Sequence, residues 1–367
     1  MAKLNEIAIM QRGKVITKEQ TENGNVPVIA GGKEPSYYHN CANRDANIIT
    51  VSGSGAYAGY VNYWDIPIYC SDCFSIKSKD ENKFITKFLY YFLKSKQKYI
   101  YSKKKGAGIP HVKIESISDM IIPDISLDEQ KSILKKIEII NNCINNRRKQ
   151  LNDFDIYLES AFKEMFDSNY RNKNDFKKSK LGDLSKIERG ASPRPIKDFL
   201  SNSEDAINWI KIGDTSQDSM YIDSTLERIT KAGASKSRFV QKGNLILSNS
   251  MSFGKPYILN VSGCIHDGWL LIKDFESNFE KEFLCYLLGT KEIFNTFKNY
   301  AVGGVVNNLN SNLVRNIEVI VPPLELQKDF CKKIIVINKL KKIICENIKD
   351  LEKLISNQII DCLEEID

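Results

Sequence analysis

Leu4-Asn5-Glu6-Ile7-Ala8-Ile9-Met10-Gln11-Arg12-Gly13 returns, without a gap, as Leu181-Gly182-Asp183-Leu184-Ser185-Lys186-Ile187-Glu188-Arg189-Gly190. Working outward, Phe88-Leu89-Tyr90-Tyr91-Phe92-Leu93 is answered by Phe283-Leu284-Cys285-Tyr286-Leu287-Leu288. Each half then closes alike, with Ile122-Pro123 before Leu127-x-x-Gln130 and Val321-Pro322 before Leu324-x-x-Gln327. A long apolar-periodic run follows each glutamine. The repeating unit is therefore a globular module plus a long helix, written twice. Two copies are too few for a solenoid, which needs at least three. Internal two-fold symmetry suits a target that is itself a pair of half-sites.

At 367 residues the chain should hold two or three domains, and 42% hydrophobic residues suffice for ordinary cores. No apolar run reaches the roughly 18 residues of a membrane span. The start, Met1-Ala2-Lys3-Leu4-Asn5-Glu6, lacks an apolar signal core, so the cytoplasm is expected. The nine cysteines are scattered through apolar runs and read as reduced core residues. The net charge of +7 is unevenly spread. Nine lysines and no acid lie between Asn82 and Ile114, with Tyr90, Tyr91, Tyr99 and Tyr101 among them. Lys103-Lys104-Lys105 before Gly106-Ala107-Gly108 reads as a basic, mobile loop. Such a stretch expects a polyanion. A merely solvated helix face would usually mix the two signs.

The first module spans residues 1–125. Its expected strands are Val26–Ala30, Asn47–Val51, Gly59–Trp64 and Ile66–Tyr69, followed by a helix from Phe84 to Lys96. Ser126-Leu127-Asp128-Glu129 is a capping box, so a helix should fill 126–167. Its seam is Ile133, Ile137, Ile140, Ile144, Leu151, Phe154 and Leu158, in a 4-3 spacing broken at Arg147. A helix of that length would be about 60 Å long. Polar residues 168–180 read as a linker. The second module, 181–323, has expected strands at Ile207–Ile212 and Asn244–Ser248 and a helix at Phe283–Leu288. The last helix, 324–367, carries Phe330, Ile334, Ile337, Ile344, Ile348, Leu351 and Ile355, with its break at Lys341. Complementary breaks favour an antiparallel pair. The fold class is thus α+β, with two similar mixed α/β domains separated by two long antiparallel coiled-coil helices.

Catalytic signals are weak. Cys70-Ser71-Asp72-Cys73 with His39 and Cys41 has metal-ligand spacing, but a lone C-x-x-C is a poor zinc signal. The matching stretch, Cys264-Ile265-His266-Asp267-Gly268-Trp269, keeps an Asp and loses the second Cys, so no metal is expected. Ser52-Gly53-Ser54-Gly55 lacks the rest of a P-loop. No catalytic residue and no adenine-methyltransferase motif is found. The residues expected to face a polyanion are Ser52, Ser54, Tyr57, Lys103, Lys104 and Lys105 in the first module. In the second they are Arg194, Lys197, Ser248, Asn249, Ser250, Lys255, Asn307 and Asn308. Backbone N–H groups and small polar side chains suit phosphates, whereas variable side chains read base edges.

The module openings, the Ile/Val-Pro and Leu-x-x-Gln closures, and Leu158-Glu159-Ser160-Ala161-Phe162-Lys163-Glu164-Met165-Phe166 resemble the specificity subunit of type I restriction-modification systems. The resemblance covers the whole chain. It implies two target-recognition domains, each reading one half of a split DNA sequence for host defence. It implies helices that set the gap and hold two methyltransferase subunits, with restriction subunits joining through these. It implies no cofactor in this chain, with S-adenosylmethionine, ATP and magnesium on the partners. Two other classes compete: a coiled-coil protein-interaction scaffold without DNA binding, and a zinc-dependent hydrolase using His39, Cys41, Cys70 and Cys73.

Overall fold

The computed structural model describes residues 1–106, 108–167, 176–216, 219–249, 253–302 and 309–364. The chain is α+β, with two sheet-rich domains and two long helices. It divides into two compact units, Met1–Arg147 with Asn347–Asp367, and Arg148–Glu346. The division falls inside both long helices, so each unit owns half of each.

In the first unit a four-stranded antiparallel sheet runs in the order Ala8–Arg12, Cys73–Ser78, Ile48–Ser52, Val61–Trp64. The Ile48–Ser52 strand is buried along its whole length. Ile49 and Val51 face the core under the Thr86–Ser95 helix, while Ile48 faces a second cluster with Ile29, Ile68, Cys70 and Cys73. A strand covered on both faces reads as an unbroken β-branched run, as this one does. The helix buries Phe88, Leu89, Phe92 and Leu93 against it. Each such side chain contributes roughly 1.5–3 kcal/mol. A three-stranded sheet, Tyr37–His39, Val26–Ile29, Tyr69–Cys70, has its last pair parallel.

The second unit repeats this order as Lys186–Arg189, Trp269–Lys273, Leu245–Ser248, Pro256–Leu259, and adds Tyr221–Ile222 at the edge. Its other sheet, Glu227–Ile229, Ile207–Ile210, Gly263–Ile265, Arg238–Val240, repeats the parallel pair and adds an edge strand.

Each domain is tied off where it begins and ends. Ala2–Lys3 pairs antiparallel with Ile121–Ile122, and Lys178–Lys180 with Glu318–Ile320. The expected linker at 168–180 is therefore structured at its end, because Lys178–Lys180 satisfies its main chain on the exit strand; residues 168–175 lie outside the described residues. The expected strand Ile66–Tyr69 shrinks to Tyr69–Cys70. Ile68 instead exchanges main-chain bonds with Arg44 in an isolated bridge.

The long helices are Leu127–Phe166 and Leu324–Glu364. The capping box forms: the Ser126 N–H donates to the Glu129 carboxylate at 3.0 Å, and the Glu129 N–H to Ser126 Oγ at 3.3 Å. Ile133, Ile137, Ile140, Ile144, Leu158, Phe330, Ile334, Ile337 and Ile344 are buried. Leu151, Phe154, Ile348, Leu351 and Ile355 are half-buried. Within the second unit the two segments run in opposite directions: Asp155 meets Lys341, and Phe166 meets Phe330 with ring centroids 5.4 Å apart. Lys341, the break in the seam, is buried with its ammonium on the Asp155 carboxylate. Within the first unit Ile355 packs on the cluster holding Ile133 and Ile137.

Candidate DNA interface

The repeated motifs have a structural job. Gly13 and Gly190 end the first strand of each main sheet and press on the loop before its neighbour. A Cβ at Gly13 would lie 2.0 Å from the Ser71 carbonyl oxygen, and one at Gly190 2.1 Å from that of His266. The same comparison aligns the loops. The Lys14 and Ala191 N–H groups donate to Cys70 O and Ile265 O, so Ile265, not Cys264, stands where Cys70 does. Gly53 and Asn249 donate to Asp72 O and Gly268 O, so Gly268, not Asp267, stands where Asp72 does, and the second loop is one residue longer than the first.

Gln130 and Gln327 are fully buried. Gln130 Oε1 accepts from the Ile85 N–H at 2.9 Å, and its Nε2 donates to Lys83 O at 2.8 Å and Ile125 O at 3.0 Å. Gln327 Oε1 accepts from the Glu280 N–H at 3.0 Å, and its Nε2 donates to Asn278 O at 2.9 Å and Pro322 O at 2.7 Å. Each glutamine thus clamps the first turn of a long helix to the start of its domain's own helix. A buried amide with three partners is a fixed joint.

In the first domain the glycine turn meets the lysine loop. Gly55 donates to Pro110 O at 3.0 Å, and Val112 to Gly53 O at 3.0 Å. Lys105 and His111 exchange main-chain bonds of 3.0 and 2.8 Å. The lysine loop is therefore bonded to the chain on both sides of Ala107, which lies outside the described residues. Lys105 is exposed, Lys103 lies 4.5 Å from the Tyr99 ring centroid, and Lys104 lies 4.4 Å from that of Tyr101 while donating to Ala56 O at 3.1 Å. Ser52 is buried and donates to Gly32 O at 3.1 Å, while Ser54 donates to the Asp72 carboxylate. Tyr57 is 45% exposed, enough to meet a ligand. The turn and the acid-free run, distant in sequence, form one surface. Sequence reading missed Lys33 and Asp72; the Gly31-Gly32-Lys33 turn was the available signal for the first.

The second domain dresses the same place differently. Ser248 and Asn249 are buried, and Asn249 Nδ2 donates to Asp267 O at 3.0 Å. Asp267 accepts from Ser192 Oγ at 2.7 Å and pairs with Arg194 at 3.1 Å. The Ser192 bond, helped by Arg194, holds this carboxyl below its usual range. His266 Nδ1 accepts from the Gly268 N–H at 2.8 Å, which requires the neutral ring, and burial pushes its pKa down. Lys197 and Lys255 are exposed. Ser250, Asn307 and Asn308 lie outside the described residues. No metal centre is assembled by His39, Cys41, Cys70 and Cys73: the two buried thiols touch at 3.0 Å, Cys41 is exposed, and His39 Nδ1 accepts from the Glu22 N–H. Among the described residues no cluster of three or more His, Cys, Asp or Glu could hold an ion, and no helix is long and apolar enough to cross a membrane.

The family model described as the type I restriction modification DNA specificity domain matches residues 1–153 and 173–364. The chain belongs to this family. Type I specificity subunits are non-catalytic DNA-recognition subunits of restriction-modification systems, and DNA target recognition is the general role. The chain is 23% identical over 296 residues to the MjaVIII specificity subunit of a type I restriction enzyme from Methanocaldococcus jannaschii, covering 76% of this chain and 69% of that protein. It is 27% identical over 162 residues to a type I specificity subunit described as putative in Mycoplasma pneumoniae, covering 41% and 43%. Among solved structures it is similar to a type I restriction-modification S subunit from M. genitalium, with a TM-score of 0.56, 16% identity, and 98% and 94% of the two chains covered. That likeness supports the fold. The domain repeat and its two glutamine clamps are thus features of a type I specificity subunit.

Proposed function

We propose that this chain reads a bipartite DNA target, one half-site per recognition domain, and that its two long helices form an antiparallel spacer fixing the gap. Domains would then run over 1–125 and 181–323, joined by helices at 126–167 and 324–367. The observation carrying this reading is the duplicated clamp: the same buried glutamine joins each domain to its helix through the same three bonds. A domain so fixed transmits helix length and orientation. The helices would also hold two methyltransferase subunits carrying S-adenosylmethionine, and restriction subunits using ATP and magnesium would join the complex in the cytoplasm. This chain would need no cofactor of its own. Its DNA-facing groups would include Lys105, Tyr57, Arg194, Lys197 and Lys255, all exposed.

Methylation mapping tests the reading. Replacing residues 181–323 with the second domain of another family member should change one half of the methylated sequence and leave the other half intact. A swap that altered both halves, or neither, would sink the assignment of one half-site per domain.

A further inference from the structure

We propose that Lys33 and Lys94, meeting over the ring of Tyr60, seat one phosphate of the DNA backbone in the first domain. This rests on the DNA-recognition reading and assigns it residues that neither the glycine turn nor the Lys103-Lys104-Lys105 cluster named. Lys94 Nζ stands 3.7 Å from the Tyr60 ring centroid, and Lys33 Nζ stands 5.4 Å from the same centroid and 5.0 Å from that of Tyr57. Two ammonium groups share one ring, and among the described residues no carboxylate pairs with either. The ring's negative face holds cations, but only by about 0.5–2 kcal/mol each. Lys94 also donates to Val61 O at 2.8 Å. Burial, and next Lys33, bring Lys94 down to about 8. The pair is therefore held in mutual repulsion that an anion between them would relieve.

The scaffold around the pair is fixed. Lys33 O accepts from Asn62 Nδ2 at 2.7 Å, and Gly32 O accepts from Ser52 Oγ. A Cβ at Gly31 would lie 2.6 Å from the Ser54 carbonyl oxygen, so this turn lies against the Ser52–Gly55 turn. Exposed Tyr57 flanks the pair, and Lys104, bonded to Ala56 O, extends the positive surface. A phosphate contact of this kind carries no base-reading information.

The test uses the full chain and a duplex of random sequence, with affinity followed against salt. Lys33 is exposed, so Lys33→Ala should fold normally. Its log–log salt slope should shrink, by up to about 0.9 if the phosphate contact is lost outright, which at 0.1 M salt means up to about eightfold weaker binding. Lys33→Arg should keep the slope, and Lys18→Ala, on the exposed Lys18–Gln20 turn, should leave it unchanged. Bound duplex should also protect Lys94 from an amine-acylating reagent. An unchanged slope in Lys33→Ala, an equal loss in Lys18→Ala, or an unprotected Lys94 would each overturn the site while leaving DNA recognition standing. Failure of the parent chain to bind duplex at all would remove that recognition reading and the site with it.

Discussion

The two sheet-rich domains agree in their main chains and part company in their side chains. Both end the first strand of the main sheet at a glycine pressed on a carbonyl, both are closed by an entry–exit ladder, and both are clamped by a buried glutamine. At the surface carrying the candidate DNA contacts, the first domain sets lysines on tyrosine rings. The second sets Arg194, Ser192 and neutral His266 around Asp267. A frame bonded main chain to main chain tolerates such redressing, because its strength is indifferent to what its loops carry. On the proposed reading, two domains that read different half-sites would need that separation.

The largest expected effect tests the shared frame. Gln130→Leu and Gln327→Leu each strand one buried N–H and two carbonyl groups, at roughly 1–3 kcal/mol per group with partial relief by water. Each substitution should cost about 4 kcal/mol in urea unfolding. Near-equal costs would sharpen the equivalence of the joints; a cost below about 1 kcal/mol at either would break it.

A middle-sized effect separates the surfaces. Replacing Lys103, Lys104 and Lys105 together with Ala should lower the salt slope of DNA binding by about 0.9 rather than about 2.7, since each phosphate contact adds about 0.9. Lys105 alone of the three is exposed, the other two lying over Tyr99 and Tyr101. The loss should be alike on specific and random duplexes. A slope loss near 2.7 would show that all three turn outward onto phosphates.

The smallest effect belongs to the second domain. His266 has its folded pKa pushed below 6.5, mainly by burial. The unfolded chain then binds the proton more readily, so stability is lost as pH falls from about 6.5 through the lower folded value. Ser71 stands at this place in the first domain and cannot titrate there. His266→Gln keeps an acceptor for Gly268 and should flatten the pH dependence of unfolding between pH 6.5 and 5, by under about 1 kcal/mol. An unchanged profile in the variant would place the proton elsewhere.

Periodicity revealed the frame well. The 4-3 spacing located both long helices, and the capping box at Ser126 marked a true helix start. The Leu-x-x-Gln repeat marked the joints, although only the bonds explain why glutamine is needed. Short strands were harder to see. Trp269–Lys273, buried at four of five positions, shows no alternation, and Lys178–Lys180 looked like linker because its partner lies far along the chain. The candidate surface was half legible. Lys103–Lys105 stood out by charge density, whereas Lys33 is an isolated cation that joins Lys94 only through folding. Ser52, Ser248 and Asn249 fitted a polar-turn pattern yet lie buried, because turn polarity serves the chain's own carbonyls before any ligand.

The ladder closing the second domain has a mechanical meaning. Lys178 and Ile320 are the outermost register partners of a three-pair antiparallel ladder, with one further bond beyond them from the Val321 N–H to Lys177 O. Tension between the chain entering at Lys178 and the chain leaving at Ile320 would load one pair at a time, as in opening a zipper. The ladder would yield first, at low force, and could close again by the same pairs. The five-stranded sheet behind it would carry none of that load until the ladder had opened, so the candidate DNA surface would be insulated from strain along the chain.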